Sequence, residues 1–197
     1  MSHFIKYIST TLFIFFLYSC KAGYKTISIN DKEISDKNNG GIIFSMTSNS
    51  YYITTEAYVK SKASDKSGYA ATLVSGPMGA LAKSFDDAND FDELVGRVLF
   101  VELEPGNYKL DKWEVKLNEL ESIVPMKYPE QVPFTVKKGE ISYIGNIHVE
   151  RLKNKSILPV INDYYARDIE MFRKKYINLS SKAVSKQVNY TGTWFPK

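Results

Sequence analysis

Few side chains in this 197-residue chain could carry chemistry. There is one cysteine, Cys20, and there are two histidines, His3 and His148. Those counts rule out an intramolecular disulfide, a cysteine-rich metal cluster and any site built from several imidazoles. A Ser-His-Asp arrangement would have to use His148, and no G-x-S-x-G elbow precedes it. The plainer expectation is a histidine on a sheet face beside Asn146 and Glu150. Ser-x-x-Lys, H-E-x-x-H, G-x-G-x-x-G and the P-loop are all missing from the sequence. Hard oxygen ligands cluster once, in Asp86-Asp87-Ala88-Asn89-Asp90-Phe91-Asp92-Glu93. Calcium takes six to eight oxygens, so Asp86, Asp87, Asp90 and Asp92 are the candidate ligands, although EF-hand spacing and its central glycine are lacking. The competing reading is a solvated loop leading into the strand at Arg97. A carboxylate-based hydrolase would draw on the same acids.

Aromatic side chains are the other resource: fourteen tyrosines, eleven phenylalanines and two tryptophans. Exposed rings stack on sugars or grip partner proteins, and Tyr51, Tyr52, Trp194 and Phe195 are the candidates for such a patch, with Tyr58 and Tyr69 behind them. Aromatics also fill sandwich cores, which accounts for most of the rest. The expectation is therefore a protein with no catalytic set, no metal and no cofactor.

What would position these residues starts with an address. Met1–Ser19 has one lysine, Lys6, no acid, and the apolar run Leu12-Phe13-Ile14-Phe15-Phe16-Leu17-Tyr18. That is a signal-peptide layout, too short for the ~20 apolar residues of a spanning helix. Leu17-Tyr18-Ser19-Cys20 resembles the lipobox of bacterial lipoproteins, with Tyr18 standing where that group prefers a small residue. The resemblance implies cleavage before Cys20 and lipidation of its sulfur and new amino group. In diderm bacteria Lys21, rather than Asp, after the cysteine implies export to the outer membrane. The alternative is an ordinary buried thiol after a hydrophobic strand.

Removing 19 residues leaves 178 and a formal charge of 25 − 22 = +3, a mild excess that does not suit nucleic acid. Residues 20–40 are polar and read as a lipidated cysteine and tether that would lift the body off the membrane, with a short edge strand at Ile27 and Ile29 as an option. Residues 41–197 read as one mainly β domain: an about seven-stranded antiparallel β-sandwich with one C-terminal α-helix. Strands are expected at 41–47, 51–59, 69–75, 97–103, 108–117, 132–136 and 141–149. A type II turn is expected at Glu104-Pro105-Gly106-Asn107 and a bulge near Asp111-Lys112. Tyr165, Ile169, Phe172 and Tyr176 recur at steps of four, three and four, predicting a helix over about 163–176 capped by Asn162 or Asp163.

The segments Val101-Glu102-Leu103-Glu104-Pro105-Gly106-Asn107-Tyr108-Lys109-Leu110 and Phe134-Thr135-Val136-Lys137-Lys138-Gly139-Glu140-Ile141-Ser142-Tyr143-Ile144-Gly145 resemble a pattern of uncharacterised bacterial lipoproteins. Those are similar to prealbumin-like or carboxypeptidase-regulatory-like β-sandwiches. The resemblance implies a fold and assigns no functional residue. The function expected is a non-enzymatic envelope lipoprotein, attached to a membrane by its lipid and binding or scaffolding another envelope component, an envelope protein or a glycan. Alternatives are a glycan- or peptidoglycan-binding module, a secretion-system sandwich lipoprotein and a carboxylate-based hydrolase.

Overall fold

The computed structural model describes residues 24–26, 34, 36–50, 53–62, 68–74, 89–117, 122–127, 132–154, 156–193 and 195–196. In chain order the strands are β1 (Tyr24–Thr26), β2 (Gly40–Ser48), β3 (Ile53–Ser61), β4 (Gly68–Val74), β5 (Val95–Leu103), β6 (Gly106–Leu117) and β7 (Ser122–Lys127). They continue with β8 (Pro133–Val136), β9 (Ile141–Arg151), β10 (Ile157–Asn162), β11 (Val184–Lys186), β12 (Gly192–Thr193) and β13 (Phe195–Pro196). Helix α1 (Tyr165–Lys175) and a 3-10 turn (Ile177–Leu179) lie between β10 and β11. The first sheet runs β1-β4-β3-β6-β7-β13, with β8 also on β6; the second runs β12-β10-β9-β2-β5, with β11 also on β9. Among the described residues the body is mainly β, with two sheets and one α-helix, as expected.

Two features go beyond that expectation. The second sheet is mixed, because β2 and β9 run parallel at its centre, and β11 is also parallel to β9. Strands β7, β10, β11, β12 and β13 also extend the count; the last three are only two or three residues long and carry no readable period of their own. Inside the span read as a tether, Tyr24–Thr26 pairs parallel with Gly68–Ala70 of β4.

Strand β2 explains the layering. All nine of its residues are buried, because one face meets the other sheet and the opposite face meets α1. Ile42, Phe44 and Met46 join Ile53, Ala57, Val59, Leu99, Val101, Trp113 and Val115 between the sheets. Ile43 instead joins Val98, Phe100, Ile141 and Tyr143 beneath Ile169, Phe172 and Tyr176 of α1 and its end. The predicted aromatic stripe thus lies across a sheet face, with the Phe100 ring 6.1 Å from Phe172 and 5.9 Å from Tyr176. The cap differs from the prediction: Tyr164 is the N-cap and offers no side-chain bond. Asp163, one residue earlier, accepts the Tyr165 N–H at 3.3 Å.

Two bulges set which residues share a face. Register slips between Tyr58 and Val59 against β6, leaving Asp111 as the extra residue at the predicted place. A second slip, between Ile43 and Phe44 against β9, leaves Ile144 unpaired beside Gly145 at φ +126°. Strict alternation would keep Gly145, Ile147 and Val149 on the face of Tyr143. The slip instead turns Ile144, Ile147 and Val149 into the sandwich and Asn146 and His148 toward the helix side.

Candidate functional site

That second bulge assembles a polar layer between β2, β9 and the first turn of α1. Asp168 is wholly buried. Its Oδ2 accepts the hydroxyls of Ser45 at 2.5 Å and Tyr143 at 2.6 Å. Its Oδ1 takes Arg167 Nε at 2.8 Å and a second guanidinium nitrogen at 2.7 Å. A buried carboxylate needs this many donors, since an unpaired one is strongly disfavoured. It stands in the first turn of α1.

The network runs on along the sheet. Asn146 Nδ2 donates to Ser45 Oγ at 2.7 Å and to Thr47 Oγ1 at 3.0 Å, and Thr47 Oγ1 lies 2.8 Å from His148 Nδ1. Tyr143 also accepts the Tyr164 backbone N–H at 3.3 Å, tying the helix start to β9. At the rim the Arg167 guanidinium sits between the Phe91 ring, 4.5 Å away, and the Tyr164 ring, 4.4 Å away.

Burial and the Asp168 charge hold the Tyr143 phenol far above its ordinary range, so it stays a donor. Burial pushes the half-buried His148 below its usual 6.5, opposed by Glu150 and reinforced by Arg167. A serine, a histidine and an aspartate therefore share one layer without forming a relay: Asp168 bonds Ser45, while His148 bonds Thr47. Both hydroxyl residues are wholly buried, so a substrate cannot reach them in this conformation. What the arrangement does chemically is clamp α1 onto the sheet.

Outside this layer, the outer face of the first sheet sets two carboxylates opposite each other, Glu56 and Glu114. The Tyr58 hydroxyl donates to Glu56 and, at 3.2 Å, to Glu114, while Lys112 pairs with Glu114 at 2.5 Å. Burial and then the flanking carboxylates raise the Tyr58 phenol well above its usual value. The pair follows from the β3–β6 register across 58 residues, for which a single sequence offers no local signal.

The residues singled out from sequence fare differently. Cys20, Tyr51, Tyr52, Asp86, Asp87 and Trp194 lie outside the described residues. Phe195 falls in β13, opposite Lys127 of β7. Asp90 is spent internally: its Oδ2 accepts the Val98 N–H at 2.7 Å and pairs with Lys175 at 2.7 Å. Calcium there would have to displace that lysine. Asp92 is exposed. Among the described residues no three His, Cys, Asp or Glu side chains stand close enough to hold a metal. No protein-family model, curated protein or solved structure matches the chain.

Proposed function

We propose that this protein is a lipid-anchored, non-enzymatic β-sandwich of the bacterial cell envelope, held by Cys20 and binding another envelope component. The observation that carries the reading is the leader: Lys6, an acid-free apolar run and Ser19-Cys20, followed by a body rich in strands. The inward-turned hydroxyls of Ser45 and Thr47 support a structural rather than a catalytic use of the polar layer. Its resemblance to uncharacterised lipoproteins of sandwich type belongs to the same proposal.

The test is Cys20→Ser expressed with the full leader in a diderm host. Loss from the membrane fraction with unchanged far-UV circular dichroism is expected, together with acyl groups on the N-terminal peptide of the parent by mass spectrometry. An unacylated parent that keeps its first methionine sinks the reading. A second reading, glycan recognition, is favoured by Tyr58, whose partly exposed ring lies on the outer sheet face with Glu56 and Glu114. Tyr58→Ala and Trp194→Ala should then each weaken retention on cell-wall material without lowering Tm.

A further inference from the structure

We propose that the end of the sandwich where β3 finishes and β4 begins lies against the headgroup layer of the bilayer that holds Cys20. This rests on the lipid-anchor reading above and replaces a body raised on a spacer with one seated on the membrane. Four residue steps separate Cys20 from Tyr24, a reach of at most about 14 Å even when fully extended. Tyr24 is fixed, because it pairs with Gly68 of β4. Gly68 in turn faces Lys60 of β3, and Lys60 faces Lys109 of β6. Strands lie about 4.8 Å apart, so the anchor can stray little beyond the edge of this sheet.

A second tie brings the chain back to the same end. Asp36 N–H and Asn39 Nδ2 donate to Glu102 Oε1 at 2.9 and 2.8 Å, and Gly139 N–H donates to the Asn39 carbonyl at 2.8 Å. The turns joining β5 to β6 and β8 to β9 close this end, and Lys62 N–H meets the Asn107 carbonyl there at 2.8 Å. Lys37, Lys62 and Lys138 are exposed on it, cations of the kind that anionic headgroups attract. Carboxylates share the surface, Lys137 with Glu140 for instance, so the short tether rather than net charge selects this end. At the far end the β9–β10 hairpin carries exposed Lys153. Ten residue steps of β9 place it about 33 Å further out.

Acylated protein carrying either Lys62→Cys or Lys153→Cys tests this, because Cys20 is the chain's sole cysteine and is blocked by its lipid. A donor dye on each new thiol is read against acceptor-labelled phosphatidylethanolamine in vesicles of phosphatidylethanolamine and phosphatidylglycerol. Energy transfer several-fold stronger from position 62 than from 153 is expected. Adding Lys25→Pro, which takes the central N–H out of β1, should shrink that difference, since the next described residue is Ile34, packed against the helix-side cluster fourteen residues from Cys20. Acylated protein with equal transfer from both positions, or stronger transfer from 153, overturns the seated orientation and leaves the anchor reading intact. Protein found without acyl groups overturns both.

Discussion

The two faces of β2 bury their side chains equally and use them differently. Toward the other sheet, Ile42, Phe44 and Met46 meet an almost wholly apolar layer. Toward α1, Ile43 is followed by Ser45 and Thr47, which enter a network ending on the Asp168 carboxylate. Apolar burial is non-directional: it rewards closing the sandwich and tolerates small slides of one sheet over the other. A buried carboxylate with four donors tolerates none, because each displaced donor leaves an unpaired group. One layer holds the sheets together, and the other fixes where the helix sits.

The largest expected effect breaks the apolar side. Trp113 is wholly buried, and its indole N–H donates to Thr55. Trp113→Ala removes the ring and leaves the Thr55 hydroxyl with only its 3.4 Å bond to the Glu114 carbonyl, which should cost about 3–5 kcal/mol. Urea unfolding should show one transition moved to lower denaturant at every probe, since both sheets lose the same contact. On the polar side, Asp168→Ala should cost about 3 kcal/mol by leaving Arg167, Ser45 and Tyr143 without their acceptor. Its signature is local: amide exchange in α1 accelerates well before that in β3 and β6. A uniform rise in exchange across both sheets would erase the distinction drawn between the faces.

Gly145 connects the two. Its φ of +126° disfavours any side chain, and an added Cβ would stand 3.2 Å from Ile161 Cγ2. Gly145→Ala should cost about 1–3 kcal/mol through backbone strain. Because the bulge decides which face Asn146 and His148 reach, the helix-side amides should suffer more than the sandwich-side ones. Equal losses on both sides would mean that the bulge does not set the register.

Sequence patterning captured one face of this design. The strand expected at 41–47 falls inside β2, and the spacing of Tyr165, Ile169, Phe172 and Tyr176 gave the helix to within two residues. Pro105-Gly106 marked a tight connection but not the type II turn expected there, because Gly106 opens β6 without the positive φ that turn requires; the phase change at Asp111 marked the bulge opposite Tyr58. The polar layer was illegible for a definite reason. Ser45 meets Asp168 across 123 residues, and only after β2 and β9 pair in parallel with one residue skipped. Gly145 was the sole local hint, since a glycine inside a strand often marks a bulge. The pairing of Asp90 was illegible in the same way, since its partner Lys175 lies 85 residues away.

The smallest expected effect separates the layers by pH. His148 is held below its ordinary 6.5 chiefly by burial, with Arg167 adding to the depression and Glu150 opposing it. An unfolded chain therefore binds this proton more readily than the folded one. Stability from the neutral ring is complete above about 6.5 and is lost as pH falls through the depressed folded value. In the imidazolium both ring nitrogens carry hydrogen, so Nδ1, 2.8 Å from Thr47 Oγ1, can only donate to it. The Tm of the parent should decline more steeply between pH 7 and pH 5 than that of His148→Gln, with the curves converging at higher pH once the constant offset is removed. The layer around Phe44 is built from apolar side chains, so Phe44→Leu should lower Tm equally at all pH values. Parallel curves for the parent and His148→Gln would show that the polar layer feels acid no more than the apolar one.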